Sequence, residues 1–523
     1  MARKKLPIGI QTFSKIRDVK ENFIYVDKTK IALELLKGSG YYFLSRPRRF
    51  GKSLFLDTLS EIFKGNKVYF EGLFIYDKWN WEVQFPVVNI SFARGGYRSE
   101  EYIKEIIYSI LEENCQNLGI DSEQCYSKVP GIYFQRLIRQ TYKKYNQKVV
   151  VLVDEYDKPI LDNIGTEDKT VSFHAREILK DFYSAIKDSD QYLRFVFLTG
   201  VSKFSKMNLF SGLNNLEDIT IDDRYATITG YTHADLKREF YDYTEGVDLE
   251  NVKKWYNGYS YFGDTIYNPF DILLFFSKGC EFRNYWWETG NPSFLIEIFK
   301  EGKHYLPDLE NIEVSREVLS AFDVDQIDIV ALLWQTGYLT FDKKIRLFDE
   351  IYYKLKIPNL EIQKSLNALF FNYLTNLERD YSPKKRQIIS YFLSRDFIAI
   401  RQELTSLFAS IPYDNYVNNN ISIYEGYYAS VIFAFLSSLG FEVKAEDHSN
   451  HGRIDMTMIL PEIIFILEFK VDMPGENAIH QIETKKYYEK YQAQYKQIYL
   501  IGIHFDSNER NIVNFDWKKL QDS

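Results

Sequence analysis

Two places in the sequence gather the residue types that chemistry on phosphate requires. The first is Gly51-Lys52-Ser53 within "SRPRRFGKSLFL", the second half of a phosphate-binding loop of pattern G-x-x-x-x-G-K-[ST], with Arg46 where the first glycine would stand. In such a loop, backbone N–H groups and a helix N-terminus face the phosphates, a lysine neutralises their charge, and a Ser or Thr hydroxyl reaches Mg2+. Lys52 and Ser53 would fill those roles, Pro47 would fix the turn, and Arg46, Arg48 and Arg49 would add positive potential. Read alone, the stretch is equally a basic loop ahead of a helix. Further along, "KVVVLVDEYDKP" ends in Asp154-Glu155, an acid pair of the kind that supplies a Mg2+ carboxylate and a water-polarising base in nucleotide hydrolases. "LRFVFLTGVSKF" carries Thr199, placed either to sense a γ-phosphate or to cap a strand end.

The second place is "HGRIDMTMILPEIIFILEFKV", with Asp455 on one strand and Glu468-x-Lys470 on the next. Period-two alternation puts Glu468 and Lys470 on one face, and a hairpin would bring Asp455 to them. Two carboxylates with an ammonium beside them can hold Mg2+, or Mn2+ in its place, and orient an activated water at a phosphodiester. The bland alternative is two half-exposed strands, but charge inside the apolar run "FILEFK" is costly unless paired. Four of the seven histidines lie in this region, without the spacing of a zinc site.

The elements that must position these groups follow from periodicity. "YYFLS" reads as a buried strand and "SLFLDTLSEIFKG" as a helix, so the basic loop lies between strand and helix. The β-branched run before Asp154 reads as a central parallel strand, whose C-terminal end is where α/β sheets bind ligands. Strand-helix alternation over residues 40 to 200 gives a doubly wound P-loop layout. Residues 291 to 400 read as mainly helical, with the pair "YLTFDKK" and "YYKLKIP" compatible with a winged helix and no exposed basic recognition helix. The aromatic segment "WYNGYSYFGDTIYNPFDIL" reads as turns with buried rings rather than a base-stacking platform.

Composition bounds the rest. The 523 residues are 45% hydrophobic and 26% charged, with three cysteines in no C-x-x-C spacing, so two to four cores in a reducing cytoplasm are expected. No signal segment or membrane span is expected. The net charge of −8 is unevenly spread: residues 1–60 sum to +8 and residues 421–523 to −5.

The motifs "LPIGIQTFSKIR", "YVDKT", "RPRRFGKSL", "VVLVDEYDKPI", "FLTGVSKFS", "WYNGY", "YNPFDIL" and "NYWWETG" together resemble the AAA-ATPase-like family, related to archaeal and STAND-type P-loop ATPases. Arginine at the first loop position is a habit of that family. The resemblance implies ATP bound along Arg49, Phe50, Gly51, Lys52, Ser53 and Leu54, Mg2+ held by Ser53 and Asp154, and hydrolysis through Glu155, with Thr199 beside the phosphates. Lys203 or Arg224 would be a sensor or arginine finger, and Tyr25 and Asp27 would line the adenine pocket. Residues 421–515 resemble the PD-(D/E)xK nuclease superfamily, which implies Asp455 and Glu468 as metal ligands, Glu425 as a further ligand, Lys470 as water orienter and Gln481 as a positioning group. The expected fold class is therefore α/β: a P-loop domain over 1–290, a mainly helical, winged-helix-like middle over 291–404, and a nuclease-like domain over 405–523. The expected function is an ATPase controlling a metal-dependent nuclease, with nucleic acid as partner, DNA before RNA, no membrane, and an oligomer compatible with the architecture. The alternative is an ATP-controlled signalling or scaffold switch whose nuclease fold is an interaction module.

Overall fold

The computed structural model describes residues 3–38, 40–163, 169–203, 213, 215–289, 312–320, 322–323, 326–375, 382–411, 425–449, 452–473, 478–495 and 497–520. The chain forms two compact units, one of residues 1–294 with 312–361 and one of 295–311 with 362–523. Each is described by itself.

The first unit is built on a parallel sheet of strands β1 (Tyr41–Ser45), β2 (Val87–Ser91), β3 (Val149–Asp154), β4 (Leu193–Gly200) and β5 (Glu217–Asp218), in the order β2-β3-β4-β1-β5. The three inner strands are the apolar runs legible in the sequence. The edge strands are not: β5 has two residues, and β2 buries only three of its five. Val149 to Val153 are all buried, as a strand covered on both faces requires. Helix α1 (Lys52–Phe63) packs Phe55, Leu59, Ile62 and Phe63 into one core with Leu44, Val150, Phe195 and Phe197 of the sheet. Helices α2 (Glu100–Asn117), α3 (Pro130–Tyr145) and α4 (Lys169–Asp188) pack with one another. Local chemistry sets their ends: Ser99 Oγ accepts the Tyr102 N–H at the start of α2, and Pro130 opens α3.

An exposed strand edge is a template for unwanted pairing. On β2 the Asn114 side chain of α2 occupies that edge: the Asn89 N–H donates to Asn114 Oδ1 and Asn114 Nδ2 donates to the Asn89 carbonyl, both at 2.8 Å.

The remainder of this unit contains helix α5 (Pro269–Ser277) and a strand, helix, helix, hairpin arrangement. It runs through β6 (Glu313–Ser315), a short helix (Arg316–Ser320), α6 (Ile329–Thr336), β7 (Thr340–Leu347) and β8 (Glu350–Lys356), with sheet order β7-β8-β6. Apart from the short antiparallel pair Phe322–Asp323 and Gln326–Ile327 between the two helices, this is the element order of a winged helix. However, α6 buries Ala331 through Gln335 and carries no basic residue, so it cannot read a groove as a recognition helix does.

The second unit contains a mixed sheet of β9 (Glu442–Ser449), β10 (Gly452–Ile459), β11 (Ile463–Val471), β12 (Gln497–Asp506) and β13 (Asn511–Lys519) in sequential order. The β11–β12 pair is parallel and the others antiparallel. Helix α7 (Glu425–Ser438) precedes the sheet, and α8 (Ala478–Thr484) lies in the crossover from β11 to β12. All nine residues of β11 are buried, charged ones included. Among the described residues no helix is long and apolar enough to cross a membrane.

Replacing Asn114 with Ala hands the Asn89 amide and carbonyl, on the exposed edge, to water and removes both hydrogen bonds. We expect a loss of about 1–3 kcal/mol in urea denaturation of the full chain.

Candidate nucleotide and metal sites

The loop from Ser45 to Lys52 joins β1 to α1, and Gly51 takes the left-handed φ of 88° at the helix start. Arg46 does not face the loop mouth. Its side chain is 0% exposed and donates through Nη1 to the carbonyls of Ser45 at 2.9 Å and Thr220 at 2.8 Å, and through Nη2 to that of Tyr225 at 3.3 Å. The guanidinium lies 3.5 Å from the Tyr261 ring centroid. The expectation that Arg46 adds potential for a phosphate is corrected accordingly: it ties the loop to the 220–225 turn and to the aromatic segment. Phe50 also turns inward, its ring 4.8 Å from that of Tyr259. The aromatic segment is thus a buried buttress for the loop, with Tyr256, Tyr259 and Tyr261 all buried.

Lys52 is buried, and its Nζ donates to the carbonyls of Arg46 at 2.8 Å and Pro47 at 2.9 Å. Burial lowers its pKa, opposed by the nearby Asp154, Asp157 and Glu155. Ser53 Oγ donates to Asp154 Oδ2 at 2.5 Å, and Thr199 Oγ1 donates to Asp154 Oδ1 at 2.7 Å. The ends of β3 and β4 and the first turn of α1 therefore meet at one carboxylate. The juxtaposed hydroxyl and carboxylate fit a hard cation such as Mg2+, which takes few protein ligands. Glu155 adopts φ 52°, a left-handed conformation that costs a non-glycine residue about 1–3 kcal/mol. Burial, then the Asp154 charge, raises its pKa, while Lys158 and Lys52 oppose the shift.

Asp157 escaped the sequence reading. It is buried, and Oδ2 accepts the Val201 N–H at 3.0 Å and both the N–H and hydroxyl of Ser202 at 2.5 Å, fixing the chain after β4 against that after β3. Its signal was only its place three residues after Asp154. Other expected residues have structural partners. Lys203 is buried against Asp218 at 2.6 Å, and Arg224 pairs with Asp222 at 2.6 Å on the surface. Asp27 accepts the N–H groups of Thr29 at 2.8 Å and Phe74 at 2.7 Å, and Tyr25 packs edge-on against Phe13. The local geometry thus spends Asp27 on tying turns together.

In the second unit the β10–β11 ladder runs from Ile459↔Ile464 to Met456↔Leu467. Beyond it Asp455 Oδ2 accepts the Phe469 N–H at 2.8 Å, so its carboxyl replaces a ladder bond beside Glu468. Glu468 is 1% exposed; its Oε1 accepts from Gln481 Nε2 and, at 3.4 Å, from Lys470 Nζ, while its Oε2 has no hydrogen-bond donor. Burial raises the pKa of both acids; for Glu468 the Asp455 charge adds to this and Lys470 opposes it, and for Asp455 the Phe469 N–H and Lys470 oppose it. A buried carboxyl oxygen without a donor, next to a second carboxyl, fits a hard divalent cation. Gln481 reaches Glu468 because α8 lies close to the sheet at Gly502, the register neighbour of Glu468; a Cβ there would stand 2.9 Å from Ala478 Cβ. Glu425 begins α7, and its side chain lies outside the described residues. Among the described residues no group of three or more His, Cys, Asp or Glu is gathered as a metal site. His451 also lies outside them.

A phosphate loop and strand-end acids on a parallel sheet, with a D…ExK strand pair on a mixed sheet, define a P-loop ATPase-type protein joined to a nuclease-type domain. Residues 7–210 match the family model described as "Predicted AAA-ATPase" (AAA-ATPase-like), and residues 423–515 match that of the PD-(D/E)XK nuclease superfamily. An Azotobacter chroococcum mcd 1 protein, "Uncharacterized protein in vnfD 5'region", is 46% identical over 518 residues, covering 98% of this chain and 99% of the relative. No solved structure matches. The chain belongs to the AAA-ATPase-like family and carries a PD-(D/E)XK nuclease superfamily domain at its C-terminal end.

Two substitutions check the local readings. Arg46→Gly restores the ordinary loop residue yet strips three buried carbonyls of their donor, so a loss of about 2–4 kcal/mol is expected in chemical denaturation. Gly502→Val forces α8 away and uncouples Gln481 from Glu468. Fluorescence-detected unfolding should show a loss of about 1–3 kcal/mol from overpacking.

Proposed function

We propose that this chain binds and hydrolyses ATP and that its nucleotide state controls a metal-dependent nuclease acting on nucleic-acid phosphodiesters, DNA in preference to RNA. The observation that carries the nuclease part is the buried Glu468 oxygen with no donor, flanked by Asp455 and Lys470. A second reading, an ATP-controlled switch whose nuclease fold serves as an interaction module, is favoured by the −5 charge of residues 421–523, which repels a polyanion.

In the first unit, Lys52 and the loop N–H groups would hold the phosphates, with Ser53 and Asp154 holding Mg2+ and Arg49, Phe50 and Leu54 flanking the nucleotide. Thr199 keeps Asp154 oriented, and Glu155, raised in pKa beside it, would accept a proton from the attacking water. In the second unit, Asp455 and Glu468, with Glu425 as a further ligand, would hold Mg2+ or Mn2+. The bound cation supplies Lewis acidity at the scissile phosphate. Gln481 fixes the Glu468 carboxyl, and Lys470 would orient water and steady charge on the phosphate oxygens. Three cysteines in no C-x-x-C spacing support a reducing, cytoplasmic location.

Cleavage of plasmid, single-stranded DNA and RNA with Mg2+ or Mn2+, with and without ATP, tests this reading. Lys470→Ala should slow cleavage on the order of 10^2- to 10^3-fold. Glu155→Gln should slow ATP hydrolysis on the order of 10^2- to 10^4-fold and remove the effect of ATP on cleavage. ATP hydrolysis without cleavage of any substrate would discard the nuclease in favour of the switch.

A further inference from the structure

Two acids outside both candidate sites are buried without the donors that buried carboxylates require. Asp271, on α5, and Glu361 are each 0% exposed and lie within hydrogen-bonding reach of one another. Both Asp271 oxygens and Glu361 Oε2 lack any donor; Glu361 Oε1 accepts the N–H groups of Trp286 at 2.8 Å and Trp287 at 3.4 Å. Two facing carboxylate acceptors repel, and a proton shared between them removes the repulsion, as in carboxyl pairs that cannot both ionise.

The pair stands directly behind the phosphate loop. The Trp286 indole N–H donates to the Arg48 carbonyl at 3.2 Å, and Asn268 Nδ2, from the cap of α5, donates to the same carbonyl at 3.4 Å. The Arg49 guanidinium lies 4.1 Å from the ring centroid of Phe270, next to Asp271 in sequence, and its charge acts on Asp271. Arg49 itself has φ 69°, so its backbone must be held in place by its surroundings. Glu361 thus fixes the backbone of Trp286, whose ring fixes Arg48, and Asp271 balances Arg49.

We propose that Asp271 and Glu361 are a positioning pair for the phosphate loop, holding one proton between two carboxyl groups and bracing the loop through Trp286 and Arg49. The inference rests on the nucleotide reading of that loop. Losing the proton leaves two buried anions, which drive the carboxyls apart and draw Arg49 inward. The charged and titratable groups facing the pair are Arg49 from the loop, Glu288, and the phenols of Tyr256 and Tyr259. Burial, then the Glu361 charge, raises Asp271, opposed by the nearby Trp286 N–H and by Arg49; burial raises Glu361, opposed by the Trp286 and Trp287 N–H groups, with Glu288 adding to the rise. A carboxyl raised on folding adds stability below the ordinary carboxylate range, and that stability is lost as pH rises through the folded-state value.

The test uses the full chain, wild type and Glu361→Gln, in which the amide keeps an oxygen for Trp286 and turns an N–H toward Asp271 whatever the pH. Asp271→Asn is the second variant should the first not fold. Thermal unfolding and the affinity for a fluorescent ATP analogue are followed from about pH 4 to about pH 9. The wild type should lose thermal stability as pH rises from the ordinary carboxylate range to the folded-state value and level off above it, where its affinity should fall by up to about tenfold per pH unit. The variants should lose the part of both slopes that the pair contributes, keeping the shallower slope set by the other raised acids, Glu155 and Glu468 among them. Wild-type and variant profiles of the same slope overturn the proposal, as does a slope abolished by EDTA, which would mean a cation between the carboxyls. Wild type that binds no nucleotide at any pH refutes the nucleotide reading, and with it the loop-positioning role; the thermal profiles then decide the shared proton alone.

Discussion

The carboxylate of Asp154 is the joint on which the first unit depends. A half-buried acid at the end of a hydrophobic strand is best tolerated with both oxygens satisfied. Here one is satisfied by the first turn of the helix after the phosphate loop and the other by the end of the neighbouring strand. Three chain segments far apart in sequence are brought to one point because that point is where the charge can be tolerated. The network around Asp157 repeats the device one turn later and keeps the strand ends in register.

The second unit solves the opposite problem. Its central strand is buried throughout, yet it carries Glu468 and Lys470. Their tolerance comes from each other, from the Gln481 amide and from the backbone N–H taken by Asp455, and one oxygen is still left over. A strand chosen only for packing would hold no such residues. The atoms on which the unit's packing depends are therefore the same few that form the candidate site.

What could be read from the sequence was what is encoded locally. The runs before Ser45 and Asp154, the helix after Gly51 and the ExK alternation of β11 each lie within a few residues, so periodicity exposes them. The hairpin of β7 and β8 was legible for the same reason. Arg46 was misread because its partners, the carbonyls of Thr220 and Tyr225 and the ring of Tyr261, are supplied by distant segments, and nothing near Arg46 hints at them. The facing of Asp271 and Glu361 is likewise a product of tertiary folding, and the two-residue β5 has no pattern to detect. The ion pair of Lys203 with Asp218 exists only because a strand edge places them together.

The inward-facing Arg46 also bears on how nucleotide binding is coupled to the rest of the fold. A glycine-rich loop is loose until its ligand orders it, and that loss of entropy weakens binding. Here the guanidinium and the Phe50 ring fasten the loop into the core, so most of its ordering belongs to folding. The thermodynamic counterpart is linkage: whatever loosens the 220–225 turn or the ring of Tyr261 makes the loop's conformational freedom a cost of binding. Affinity then becomes a readout of packing at positions that never approach the phosphates.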